Sequence, residues 1–268
     1  MRQKLGILKR AIQGFLLNTF ERAPQIPAHL KGIIIGKSVK GRPIHAYVIG
    51  EGPQKVLFAG GMHGNEVGSV KLTHYLIEWL YQNKDKFKKF TFFVVPCLNP
   101  DGYSLAKKSP NYWGGGRIGR FNANSVDLNR NFDVPSFHSK SDWTHGKDYQ
   151  ERTAVFCGDK GGSEPETKAL VDLTKKEKIS IWFMFHTAGA DVMGNDNELA
   201  QKLARIYSKK TKFNFYPLEK WPSLRQTGTA KEWTELNKVS YIEVEGSSRW
   251  GSDWKKQKPA IEAALAAI

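Results

Sequence analysis

Two cysteines, Cys97 and Cys157, are all that this chain of 268 residues carries, so no disulfide framework holds the fold together. Cys97 lies in the apolar run Phe92–Leu98, where a buried thiol is the simplest reading, and a reducing compartment fits; one pair between the two stays open. Long apolar runs are missing too. The longest, Val56–Gly61 and Ile179–Phe185, fall far short of the roughly 18 residues that a membrane-spanning helix needs. Internal repeats and low-complexity tracts are also lacking. Acidic residues are scarce: 26 Asp and Glu against 41 Lys and Arg leave a formal charge of +15. Such an excess attracts anions at long range. The lysines are scattered, however (Lys84, Lys86 and Lys88; Lys175, Lys176 and Lys178; Lys255, Lys256 and Lys258), with no nucleic-acid module around them, so nucleic acid is not an expected partner.

What is present is globular: 40% of residues are hydrophobic and 25% charged. Leu5, Leu8, Ile12, Leu16 and Phe20 recur three or four apart, which predicts an amphipathic helix over residues 1–23, ended by Pro24 and Pro27. Lys9 and Arg10 interrupt what would be the apolar heart of a signal peptide, and no small-residue cleavage site follows, so a cytoplasmic protein is expected. Residues 1–30 are read as a helical appendage to one main domain over 31–268. That helix either packs on the domain or, being basic and amphipathic, touches a membrane surface.

From Ile33 onward the patterns alternate. Ile33–Ile35, Ile44–Ile49, Lys55–Ala59, Thr91–Pro96, Ile179–Phe185 and Ser240–Val244 read as strands. Val67–Tyr81, Glu164–Lys175, Glu198–Lys209, Thr229–Leu236 and Asp253–Ile268 read as helices. This predicts an α/β fold with a mixed, mainly parallel twisted sheet and helices on both faces, binding ligands beyond the carboxyl ends of its strands. Residues 99–160, rich in Gly, Asn, Ser and aromatics, read as a long functional loop.

Chemistry begins at Gly60-Gly61-Met62-His63-Gly64-Asn65-Glu66, between a strand and a helix. His63 and Glu66 sit three apart on one turn and can converge on one cation, with N/O ligation that suits zinc. His186 closes the run Ile181–Phe185 and is the candidate third ligand. A His₂Glu set leaves a coordination position for water, as catalytic zinc sites do. Proton transfer then needs a carboxylate, and Glu243 and Glu245 share one face of the strand Tyr241–Glu245. The segment Arg120–Phe132 offers Arg and Asn donors for a carboxylate and a developing oxyanion. Other pairs compete: His74 with Glu78 reads as a partly solvated helix pair, and His145 with Asp148 as a loop pair without a strand beneath it. His29, His45 and His138 have no partner pattern, and Gly114–Gly119 fits a dinucleotide glycine pattern without the strand and helix it needs.

The ordered motifs Gly36–Ile44, His63-x-x-Glu66, Asn99-Pro100-Asp101-Gly102-Tyr103, Val126–Phe132, His186 and Tyr241–Val244 resemble the zinc carboxypeptidase (funnelin) family over about residues 33–265, most closely its compact bacterial branch of murein peptide amidases. The resemblance implies one Zn²⁺ per chain on His63, Glu66 and His186. It also implies Glu243 as general base and acid, Arg120 polarising the scissile carbonyl, and Asn129 and Arg130 gripping a terminal carboxylate. Asp127 would hold the ring of His63. The implied substrate is a peptide with a free C-terminal carboxylate, or a murein-derived γ-glutamyl peptide. The family often places a Tyr over the substrate; Trp221–Thr229 has none, Tyr216 is nearest, and no role is assigned to it. An aspartoacylase-like or succinylglutamate desuccinylase-like amidohydrolase shares the Gly-Met-His-Gly-Asn-Glu and Asp-Leu-Asn-Arg stretches. A noncatalytic peptide-binding protein is the other alternative.

Overall fold

Branched and aromatic residues collect where strands are expected, and in the computed structural model those segments line up in one sheet. The structure describes residues 21–30, 32–108, 117–145, 150–220 and 225–268. In chain order its strands are β1 (Ile33–Lys37), β2 (Pro43–Ile49), β3 (Gln54–Ala59), β4 (Phe90–Val95), β5 (Lys140–His145), β6 (Glu151–Phe156), β7 (Ile181–Thr187), β8 (Asp191–Gly194), β9 (Asn214–Phe215) and β10 (Ser240–Gly246). Eight of them form a sheet in the order β1-β2-β4-β3-β7-β10-β8-β9, while β5 and β6 pair as a separate hairpin. β4, β3, β7 and β10 run parallel at its centre, and antiparallel pairings join β1 to β2, β2 to β4 and β8 to β10. The expected mixed, mainly parallel architecture is the one observed.

Alternate residues of the central strands feed two apolar layers. Val56, Phe58, Phe92, Phe183 and Val244 pack with α1 (Val67–Gln82) on one face. Leu57, Phe93, Trp182, Met184 and Tyr241 pack on the other. A short helix, α2 (Pro100–Lys108), follows β4; α3 (Pro165–Glu177) covers the second face. Next come α4 (Glu198–Thr211) on the first face, α5 (Ala230–Leu236) on the second and α6 (Trp254–Ala266) on the first. Asn197 caps α4, and Thr229 with Glu232 forms a reciprocal capping box on α5.

One expectation needs correcting, and two strands went unread. Residues 99–160 are not one bare loop: among those described they hold α2, a 3₁₀ turn at Leu128–Arg130 and the β5–β6 hairpin. Pro100 and Gly102 disguised the helix, and Lys140–His145 contains one β-branched residue to mark the strand. The strands β8 and β9, with four and two residues, are too short for a periodicity signal.

The predicted helix over 1–23 falls on residues of which 1–20 lie outside the described ones. Residues 21–30 are docked on the domain. Ile26 and Leu30 pack against the first apolar layer, and Pro24 O accepts from His74 Nδ1 at 3.1 Å. His74 thus fastens the incoming chain to α1.

Candidate metal centre

β3 ends at Ala59, and the chain must turn sharply to deliver His63 and Glu66 before α1 begins. Gly61 makes that turn at φ +62°, and a Cβ on it would lie 2.9 Å from Val70 Cγ2. Gly64 is packed more tightly still: a Cβ there would sit 2.1 Å from the backbone nitrogen of Tyr103. Glu66 stands at the N-cap of α1 but makes no side-chain capping bond. Its carboxylate is committed elsewhere: Oε1 lies 2.9 Å from His63 Nδ1, and Oε2 lies 2.9 Å from His186 Nδ1. Thr187 N–H also donates to Oε2, at 3.2 Å. The three side chains are buried, and a ligand atom from each lies within 4.8 Å of the others. Among the described residues this is the one His/Cys/Asp/Glu group so placed.

Asp127, fully buried, joins this cluster to the cationic side of the site. Its Oδ1 lies 3.0 Å from His63 Nε2, while Oδ2 accepts from Arg120 Nε at 3.1 Å and Nη2 at 2.9 Å. Arg120 Nη1 lies 3.7 Å from Glu66 Oε1, facing the three-residue cluster. Burial alone would raise the pKa of both acids. The two imidazoles instead hold Glu66 well below the carboxylate range, and Arg120, then His63, do the same for Asp127. Burial opposes a proton on His63 and His186, yet their carboxylate partners outweigh it and both imidazoles titrate above the ordinary histidine value.

On β10, Glu243 and Glu245 share a face, as the period-two pattern predicts, and both line the same cavity. Tyr241 donates its hydroxyl hydrogen to Glu243 Oε2 at 2.5 Å. Glu245 lies in register with His186 on one side and Asp191 on the other. Burial, then Glu66, push its pKa up to about 8, so without a metal it holds its proton at neutral pH. Asn129 spends its side-chain oxygen on Ala230 N–H (3.1 Å), which leaves the amide nitrogen for the cavity. Arg130 donates from Nε to Asp142 O (3.0 Å) and from Nη1 to Asn129 O (2.6 Å). His63, Glu66, His186, Arg120, Asn129, Arg130 and Glu243 therefore all face one cavity of about 1020 Å³.

The family is decided by a profile match: residues 19–251 fit Peptidase_M14, zinc carboxypeptidase. The chain belongs to the zinc carboxypeptidase family. The match begins earlier than the resemblance read from motifs and takes in the docked segment after residue 20. The catalytic chain of mouse carboxypeptidase N is 29% identical over 213 residues, covering 65% of this chain and 46% of that one. The chain thus spans about half the length of that curated relative. Murein-tripeptide amidase from Escherichia coli O157 shares the fold, with a TM-score of 0.65 and 23% identity over 92% of this chain and 95% of that one. Bovine thrombin-activatable fibrinolysis inhibitor, solved with a tick carboxypeptidase inhibitor, has a TM-score of 0.69 and 18% identity, covering 97% and 94%. An aspartoacylase family protein from Mesorhizobium loti shares the fold as well, with a TM-score of 0.53 and 18% identity over 88% of this chain and 65% of that one, so it is the family match that favours the carboxypeptidase reading.

The family implies a metal, and the residues present fit one. Two imidazole nitrogens and a carboxylate converge from separate elements, and Asp127 fixes which nitrogen of His63 points inward. Pairs that competed in the sequence do not converge. His145 closes β5, contrary to the loop reading, and binds Glu151 at 3.2 Å and Thr153 at 2.9 Å; Asp148 lies outside the described residues. Several cavity residues escaped the sequence reading, among them Trp143, Asp191 and Gln226, while His145 was read in a different pairing. For Trp143 and His145 the one available signal was their i, i+2 spacing, which becomes readable only once Lys140–His145 is taken as a strand.

Proposed function

We propose that the protein is a zinc-dependent metallocarboxypeptidase that hydrolyses a C-terminal amide bond in short peptides, with murein-derived γ-glutamyl peptides as the preferred class. The observation that carries this reading is the single cavity lined at once by His63, Glu66, His186, Arg120, Asn129, Arg130 and Glu243. His63, Glu66 and His186 would hold one zinc ion. Zinc bound there supplies Lewis acidity and makes a coordinated water acidic near neutral pH.

The chain's own residues divide the remaining work. Asn129 and Arg130 bind the terminal carboxylate of the peptide, which sets the point of cleavage one residue in. Arg120, held in plane by Asp127, offers Nη1 to the carbonyl oxygen of the scissile bond and to the negative charge that grows there. Glu243 takes a proton from the attacking water and returns it to the leaving amine. Asp127 keeps Nε2 of His63 protonated and so leaves the Nδ1 lone pair for the metal. The similar span of the murein-tripeptide amidase chain supports the choice of short murein peptides.

Hydrolysis of a peptide panel with free and amidated carboxyl termini, murein tripeptide included, tests this reading. Free termini should be cleaved at least tenfold faster than amidated ones, consistent with loss of a charge-assisted hydrogen bond of roughly 1.5–3 kcal/mol. Equal cleavage of both forms would falsify the roles given to Asn129 and Arg130.

A further inference from the structure

The hairpin β5–β6 touches both arginines of the site, through neighbouring residues of one strand. Asp142 O accepts from Arg130 Nε at 3.0 Å. The ring of the next residue, Trp143, lies 4.4 Å from Arg120 Cζ, and Arg117 Cζ lies 5.2 Å from the same ring. Trp143 is held in turn: the His145 ring sits 4.3 Å away, and β6 fixes His145 through Thr153 at one nitrogen and Glu151 at the other. The strand is also tied to the far wall, where Gln226 Nε2 donates to Thr144 Oγ1 at 2.7 Å.

These contacts complement one another. Asp127 binds the Nε and Nη2 edge of Arg120 and so fixes the guanidinium in its own plane. In-plane bonds alone leave the group free to tilt. The Trp143 ring, with its centroid 4.4 Å from Arg120 Cζ, supplies a contact outside those bonds that restrains the group and excludes water from it. Nη1 is then the edge that points to Glu66 and the bound substrate.

We infer that Trp143 is a positioning residue, whose ring holds Arg120 so that Nη1 meets the scissile carbonyl, and that the β5–β6 hairpin sets both substrate-binding arginines as one unit. The inference rests on the role proposed above for Arg120. A positioned oxyanion donor acts on turnover, so the effect falls on kcat more than on KM.

The test is a double-mutant cycle on the zinc-loaded enzyme, with kcat, KM and zinc content measured together. Trp143→Leu keeps apolar bulk without the ring and should lower kcat about tenfold, with KM within about twofold and zinc unchanged. Trp143→Phe, which restores a ring, should recover most of the loss. In an Arg120→Lys background, Trp143→Leu should cost less than about threefold. Full multiplication of the two single losses, or a raised KM at unchanged kcat, would overturn the inference and leave the proposed function standing. An Arg120→Lys enzyme at full rate would overturn both. If Trp143→Leu does not fold, Trp143→Met, which also lacks a ring, takes its place in the cycle, and full multiplication of its loss with that of Arg120→Lys counts against the inference.

Discussion

His63 has two ring nitrogens and two carboxylates facing them, Glu66 at Nδ1 and Asp127 at Nε2. A carboxylate accepts only, so Asp127 requires the proton on Nε2 and leaves Nδ1 for the metal. Asp127→Asn removes that constraint and should weaken zinc binding 10- to 100-fold, measured by competition with a chelator. Glu243 is different in kind. It lies outside the ligand cluster, so Glu243→Gln should keep one zinc per chain while turnover falls by roughly 10²–10⁴. A Glu243→Gln enzyme of normal rate beside an inert Glu245→Gln would reverse the choice between the two.

Among the elements, the turn from β3 into α1 carries the tightest steric demand. Gly64→Ala forces a methyl into the backbone of α2, so the segment bearing His63 and Glu66 must shift. Loss of zinc affinity together with a lower Tm is the expected result, measured by metal analysis and thermal unfolding; unchanged values would show that the turn tolerates the side chain. This element was legible in the sequence. Glycines, a His-x-x-Glu turn and a following helical period sit next to one another in the chain. His186 and Glu243 were legible because each lies in an apolar strand, where a polar side chain stands out. The wall around them was not. Trp143, Asp191 and Gln226 reach the cavity from a hairpin, a four-residue strand and a loop, and tertiary contacts bring them there. No local period marks such residues. The helices read from apolar periodicity, such as Val67–Tyr81 and Glu198–Lys209, begin where the observed helices begin and end within two residues of them.

The whole molecule places four buried ionisable groups in one cluster, and that couples stability, metal and pH. In the metal-free protein His63 and His186 titrate above their unfolded value of about 6.5. Their contribution is fully present below that pH and is lost as pH rises through the raised folded values. Glu66 and Asp127 titrate below their unfolded values of roughly 4, so their contribution is present above that pH and lost as pH falls through the depressed folded values. Glu245, raised to about 8, adds a contribution that is lost as pH rises from about 4.5, so metal-free protein should be most stable near about pH 4.5 and weaken on the alkaline side. Zinc needs neutral imidazoles, so its binding strengthens as pH rises. Thermal unfolding with chelator and with zinc should show a larger zinc-induced rise in Tm at pH 8 than at pH 6. A larger rise at pH 6 would mean that the imidazoles are not the ligands.

The central claim is that His63, Glu66 and His186, drawn from two distant stretches of chain, hold one ion that the hydrolysis requires. It is tested most directly by zinc stoichiometry and peptide turnover measured on the same samples of wild type, His186→Ala and Glu243→Gln. The account predicts one zinc with turnover, loss of both, and one zinc without turnover, in that order. Zinc retained at full occupancy by a folded His186→Ala protein, or wild type inert whatever divalent metal is supplied, would contradict it.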